Sequence, residues 1–437
     1  MTENLQNQKC TIPNITVTVI FEGSALNRNE NIGGNIQSVK KLTINNEEKT
    51  FLSKYAIRHY LFETLIRAFN NWKAAKIIND GNVLQFDLKQ DNILTCEELD
   101  VFGYMNTVAN QTRKSPLSIT KAISLFPYNQ DMAMYANHDL VKRAKEQGNL
   151  EIDTNPNPFN KEEHTSFYKI SFTIDTDMLG YDKWIINEYK TENNFLKLII
   201  SNKKDNKKNE TKETNNNEQN LMKEQSNEKN KSDKSNKENF EVNIQYFENP
   251  INENEYEVFK VQNGTILIKK LKDKTILVTF ELNPEEKAKR IKDLLNSIHD
   301  GLMAHSSGEA NTIIPLFLIA SDVKIPSPIF HPFIDVKCNN SKQFEVIGIN
   351  DALKNSWLLK NIYILNSEKL KAQQIDFENL NKNRKNNEFS ELNRIDDWQS
   401  FLKSLNLDCK TETQQESETN ASNESTINTD IPTNGSF

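Results

Sequence analysis

The chain has 437 residues, enough for two or three domains or one elaborated domain, and only 36% of them are hydrophobic. A net charge of −7 and an isoelectric point near 5.6 exclude a protein that coats nucleic acid through bulk charge, but leave room for a locally basic groove. Four widely spaced cysteines, Cys10, Cys96, Cys338 and Cys409, form no CxxC pair; they read as reduced thiols of a cytoplasmic protein and argue against a zinc site.

The start, MTENLQNQKC, lacks a basic region followed by an apolar core, so no signal peptide is expected, and residues 1–11 read as a frayed leader. Apolar runs such as 313–320 are too short to span a membrane. Residues 14–22 alternate, with Ile15, Val17, Val19 and Phe21 on one face and Thr16, Thr18 and Glu22 on the other, which predicts a half-buried strand. A long polar loop is expected over 23–51, followed by an amphipathic helix over about 53–70 with Tyr55, Ala56, Phe62, Leu65, Ile66 and Phe69 as its core stripe. Residues 28–73 hold eight Lys/Arg against four Asp/Glu, a local charge of 8 − 4 = +4 in an acidic chain, which asks for an anionic partner.

No acid occurs between Phe102 and Gln130, while Arg113, Lys114 and Lys121 do, and Ser115–Pro116 reads as a helix start with Leu117, Ala122 and Leu125 partly buried. A protruding, loop-rich arm is expected over 129–165, and strands over 167–175 and 195–201. From 202 to 239 ten Lys and eight Asp/Glu interleave with Asn, Gln, Ser and Thr, a composition that cannot offset its ordering entropy, so a solvated insertion is expected. The tail from about 408 reads the same way. Between them, 240–247 alternates, 256–261 and 265–270 flank an Asn263–Gly264 hairpin signal, and 275–282 adds a third strand. Asn283, Pro284 and Glu286 form a capping-box pattern before a helix with the stripe Ala288, Ile291, Leu295, Ile298 and Leu302, and a strand follows over 312–320. Two β-α-β halves with insertions predict an α+β, ferredoxin-like core.

Several segments together resemble a known family. LNRNE (26–30), the Ser-Lys-x-x-x-Arg start of the first helix (53–58), DVFGYM (100–105), SPLSITKAISLFPY (115–128) and GEAN (308–311) are similar to the DevR subfamily, the repeated backbone subunit of type I-B CRISPR Cascade complexes. The resemblance covers roughly 12–180 and 275–335. It implies a modified RNA-recognition-type palm (12–72, 166–201 and 240–407) with a helical fingers insertion (73–128) and a hairpin thumb (129–165). The implied partners are guide RNA, the target DNA strand paired to it, further copies of the chain and other Cascade subunits, with no membrane and no cofactor.

A subunit that holds any guide must grip phosphate and sugar rather than read base edges. Arg28, Lys40, Lys41, Lys54, Arg58, Arg113 and Lys114 suit that task, with Asn27, Ser53, Ser115 and the Gly33–Gly34 amides as neutral donors. His59 has a packing role or an RNA contact open to it, and Met132, Met134 and Tyr135 at the base of the arm are either wedges between bases or packing residues. No catalytic or metal site is expected. Type III relatives cleave RNA with an aspartate after the first strand, whereas residues 22–53 contain no Asp and Glu30 is the nearest acid. The alternatives are a metal-dependent endoribonuclease using Asp131, Asp139 or Glu30, and a regulatory protein with no RNA role.

Overall fold

The computed structural model describes residues 11–24, 28, 36–80, 83–148, 156–200, 240–305, 310–340 and 342–407. It is a mixed α+β fold with many strands and few helices, built on a central nine-stranded sheet. The strand Asn14–Ser24 lies in the middle, antiparallel to Thr165–Ile174 on one side and to Pro315–Val323 on the other. Beyond Thr165–Ile174 come Ala122–Ser124, Glu47–Leu52 and Lys41–Ile44; beyond Pro315–Val323 come Leu358–Asn366 and Asn393–Ile395. Among the described residues no helix is long and apolar enough to cross a membrane.

Alternation works as expected on one face of the first strand. Ile15, Val17, Val19 and Phe21 enter a core shared with two helices, α1 (Lys54–Ala68) and Pro284–Asp300. The other face, expected to meet solvent, is also buried: Thr16 and Thr18 are 0% exposed. Its apolar half, Ile20 with Phe317 and Ile319, packs under Ile329, Phe330 and Ile334. On its polar half Thr18 Oγ1 lies 2.7 Å from Ser171 Oγ, which lies 2.9 Å from His331 Nδ1. A central strand in a three-layered arrangement has no wet side, so its hydroxyls find partners inside.

The Ser53 hydroxyl accepts from Ala56 N at 3.2 Å and caps α1. The stripe is wider than expected and leaves out one expected member, Tyr55. Ile57, Tyr60, Leu61 and Leu65 are buried, Ala56, Phe62, Ile66 and Phe69 flank them, and Tyr55 is 71% exposed. The segment 23–51 is not one loop either. Lys41–Ile44 and Glu47–Leu52 form a hairpin whose two turn residues, Asn45 and Asn46, both have positive φ, as a type I′ turn requires.

No helix starts at Ser115–Pro116. Leu117–Ile119 and Ala122–Ser124 are short strands on Thr165–Ile174, because that edge offers unpaired backbone partners to the segment. The only helix described in 73–128 is the six-residue α2 (Glu97–Phe102), beside the hairpins Ile77–Asp80/Val83–Phe86 and Tyr104–Asn106/Gln111–Arg113. The helical content expected there is therefore replaced largely by strand. In the arm, Asp131–Tyr135 pairs with Phe159–Glu163, and α3 (His138–Glu146) between them buries no residue.

Residues 181–282 build a second unit rather than strands of the central sheet. A five-stranded sheet (Tyr181–Ile186, Ile276–Leu282, Gly264–Lys270, Tyr256–Val261, Ile251–Glu253) and a three-stranded one (Glu188–Glu192, Phe195–Ile200, Phe240–Gln245) share a core around Trp184, Phe259 and Phe280. Val261 pairs with Gly264, so the hairpin turn is Gln262–Asn263, one residue before the expected site. The helix α4 (Pro284–Asp300) follows with its expected stripe buried, though Asn283 makes no side-chain cap bond; its carbonyl accepts from Lys287 N at 3.0 Å instead. The expected insertion 202–239 and the tail from 408 lie outside the described residues.

Candidate nucleic-acid interface

The outer face of α1 carries four polar or aromatic side chains in a row. Lys54, Tyr55 and His59 are exposed, and Arg58 is half-exposed. The Lys54 ammonium lies 5.0 Å from the Tyr55 ring centroid. The Arg58 guanidinium lies 4.9 Å from the Phe102 ring centroid, and its Nη2 donates to Glu98 Oε1 at 3.3 Å. Burial raises the Glu98 carboxyl pKa, opposed by the Ala75 amide and the Arg58 charge.

Phe102 leads into Gly103, which has φ +68° and whose Cβ, if present, would sit 2.5 Å from Arg113 O and 2.7 Å from Ser115 N. Only glycine permits that approach, so the DVFGYM motif is what lays residues 113–115 against the end of α2. Lys114 is exposed there. The Ser115 hydroxyl is committed to the turn, within hydrogen-bond reach of Val101 O (3.0 Å) and Leu117 O (2.6 Å). Lys121 is exposed with its ammonium 5.8 Å from the ring centroid of Phe51, in the strand before α1, and Phe51 N donates to the carbonyl of half-buried Lys40. The structure thus gathers Lys40 and Lys121 around Phe51, just before α1, and Arg58 and Lys114 around the Phe102–Gly103 end of α2, with Lys54 in the first turn of α1. Lys54, Lys114 and Lys121 have no carboxylate partner among the described residues.

Three other sequence candidates are committed elsewhere. Arg28 Nη1 donates to Glu162 O at 2.6 Å and Nη2 to Glu163 Oε1 at 3.2 Å. Lys41 Nζ donates to Glu162 Oε1 at 2.9 Å and sits 4.5 Å from the Tyr128 ring centroid, while Glu162 Oε2 accepts from Val39 N at 3.0 Å. Burial would lower the Lys41 pKa, but the hydrogen bond and charge of Glu162 outweigh it and leave it raised. Arg28 and Lys41 therefore clamp the base of the arm.

Arg113, expected on RNA, has a side chain only 3% exposed and pairs with Asp100 Oδ1 at 2.7 Å. Asp100 Oδ2 accepts from Arg290 Nη1 of α4 at 2.7 Å, and Arg113 Nη2 also donates to Met178 O at 2.7 Å. With Arg113 Nη2 also 3.3 Å from Tyr181 O, this buried network ties α2, α4 and the start of the second unit together.

Met132, Met134 and Tyr135 project from the exposed arm strand, with Met134 74% exposed. Tyr135 stacks on Phe159 at 5.5 Å with Lys161 5.2 Å from its ring centroid, so its ring already has an intramolecular partner. Asn27, Glu30, Gly33 and Gly34 lie outside the described residues, as do the first two residues of GEAN. Asp139 pairs with Arg143 at 3.1 Å, and Asp131 is exposed on the same arm. Among the described residues no group of three or more His, Cys, Asp or Glu could hold a metal ion. Sequence reasoning missed Lys121 and Tyr55 as parts of the α1 neighbourhood. For Tyr55 the usable signal was the alternative stripe at 57, 60, 61 and 65, which turns residue 55 outward.

No curated protein matches the chain. Solved chains from CRISPR complexes are similar at low identity, among them the following three. One, from a "CRISPR RNA-guided surveillance complex, pre-nicking", shows 7% identity and TM-score 0.44, covering 90% of this chain and 98% of its own. A second, from a "CRISPR RNA-guided surveillance complex", shows 9% identity and TM-score 0.25, covering 38% of this chain and 51% of its own. A third, from a "Type IV-B CRISPR Complex", shows 11% identity and TM-score 0.23, covering 37% and 71%. The family described as "CRISPR-associated negative auto-regulator DevR/Csa2" matches residues 15–342. With a match running from the first central strand past the second unit, the chain belongs to the CRISPR-associated DevR/Csa2 family.

Proposed function

We propose that the chain is a non-catalytic backbone subunit of a type I-B Cascade complex. It binds the spacer of a guide RNA, assembles side by side with further copies of itself and with other Cascade subunits in the cytoplasm, and presents the guide to a target DNA strand in antiviral defence. The observation that carries this reading is the cationic neighbourhood on and beside α1. Lys54, Lys114 and Lys121 are solvent-facing and Arg58 is half-exposed, on a rigid helix and a glycine-dependent turn, in a chain whose net charge is negative. Such a patch grips a polyanion through phosphate and has no means of reading base edges, which suits a guide of arbitrary sequence.

The strand order supports a ferredoxin-like palm. Taken as the fourth, first, third and second core strands, Pro315–Val323, Asn14–Ser24, Thr165–Ile174 and Ala122–Ser124 lie side by side in the β-α-β-β-α-β arrangement, with α1 and α4 as the two helices. The fingers are then the α2 region and its hairpins, and the thumb is the exposed arm with Met132, Met134 and Tyr135. The first test is whether the purified protein carries a discrete RNA of guide length. The second is the double reversal Lys54→Glu and Lys114→Glu. It should weaken single-strand RNA binding and lower the slope of log affinity against log salt by about 0.7 for each phosphate no longer gripped. Unchanged binding and slope would sink the reading, and RNA cleavage with magnesium that depends on Asp131 or Asp139 would favour the nuclease alternative.

A further inference from the structure

Tyr55 is the most exposed Phe, Tyr or Trp side chain among the described residues, at 71%. Its position in the chain gives no structural reason for a ring there. It falls in the first turn of α1, off the buried stripe, and tyrosine is a weaker helix former than the many polar residues that would suit a wet position. The side chain four residues on, His59, is also exposed, and residues at that spacing lie one above the other on a helix surface. Phe62, one turn further, is half-buried and meets Phe102 edge-on at 5.8 Å. A column of ring-bearing positions therefore runs down α1, with Tyr55 open, the His59 ring 5.7 Å from that of Tyr60, and Phe62 turned into the core.

Cations flank this column. Lys54 lies over the Tyr55 ring and Arg58 over Phe102. Of the nearby acids, Glu98 is held by Arg58 and Glu63 by Arg67 at 3.7 Å. An apolar platform rimmed by positive charge fits a π-faced anion better than it fits a protein surface, which would bring acids and apolar groups in a mixed pattern.

We infer that the exposed Tyr55 ring is a stacking platform for one unpaired nucleobase of the bound RNA, a flanking phosphate lying on Lys54. The inference rests on the RNA-binding reading above and adds a base-contacting element to it. Stacking accepts any base, because every base has a π-face, so the platform holds the strand without selecting its sequence. The ring is already outside the core, so its removal leaves the fold intact.

Binding of a fluorescently labelled oligouridylate and oligoadenylate to the full chain, measured by anisotropy over a salt series, tests this. Tyr55→Ala is expected to weaken both by roughly 5- to 150-fold with the salt slope unchanged. Tyr55→Phe, which keeps the ring, restores affinity, and His59→Ala loses less than Tyr55→Ala. If Tyr55→Ala binds as the wild type while Lys54→Glu with Lys114→Glu loses affinity and slope, the platform is overturned and the RNA-binding reading stands. If Tyr55→Ala leaves affinity intact but disperses oligomers, the ring belongs to a protein interface and the platform is overturned. If the wild type shows no salt-sensitive binding, both readings fall together.

Discussion

The cations around the arm base and those on the outer face of α1 look alike in sequence but are used in opposite ways. Arg28 and Lys41 meet Glu162 and Glu163, which arrive from more than a hundred residues downstream, on the second strand of the arm. Lys54 and Lys114 meet no acid among the described residues, although each lies within a few residues of a structural counterpart: Lys54 follows the cap Ser53, and Lys114 follows buried Arg113. What separates a clamp from a binding surface is the charge that tertiary structure delivers to it. A cation already satisfied by a buried carboxylate costs more to redirect than it returns to an outside ligand.

The largest effect that tests this contrast is at Arg113. Arg113→Ala leaves Asp100, itself 0% exposed, with one cation fewer in the interior, and should lower unfolding free energy by about 3–5 kcal/mol in denaturant titration. Lys54→Ala should change it by less than about 0.5 kcal/mol. Comparable losses at the two positions would collapse the distinction between them.

A smaller effect is expected at the arm base. Glu162→Gln removes the charge that Lys41 and the Val39 amide share, and should cost about 1–3 kcal/mol. Because the arm carries few buried side chains, the loss should appear first as faster proteolysis at the arm rather than as a shift of the main transition. Wild-type protease resistance of the arm would show that Arg28 alone secures it.

A pH effect is expected on the far face of the central sheet. Burial, reinforced by the Lys169 charge, pushes the His331 imidazole down to about 4. The folded pKa is below the unfolded value near 6.5, so the unfolded chain binds more protons in that interval. Stability attributable to His331 is present above about 6.5, falls as pH drops toward about 4, and levels off below it. His331→Gln should flatten that part of the stability profile; an unchanged slope would mean that other groups produce it.

Much of the framework was legible in the sequence because it follows from local periodicity. The alternation at 14–22, the cap at Ser53, the stripe of α4 and the strands of the second unit all depend on neighbours a few residues away. The errors share one cause. The helix expected at Ser115–Pro116 is two strands because Thr165–Ile174, some fifty residues later, offers an edge to pair with. Periodicity puts Tyr55 in the core because a three- and four-residue spacing fits more than one phase, and only the position of the packing surfaces selects among them.

The site divides the same way. The local excess of positive charge over 28–73 and the acid-free run from 103 to 129 could be read by counting, and so could the glycine in DVFGYM. Which of those cations face water could not, because Coulomb pairing and burial depend on Glu162, Glu163, Asp100 and Arg290, all distant in the chain. By itself the sequence determined the first central strand, the Ser53 cap, the stripe of α4, most strands of the second unit and the family, since these are properties of short segments and their order. The tertiary structure alone decided which charges are spent inside the fold and which remain for a partner, because that depends on what long-range folding brings within a few ångströms of each side chain.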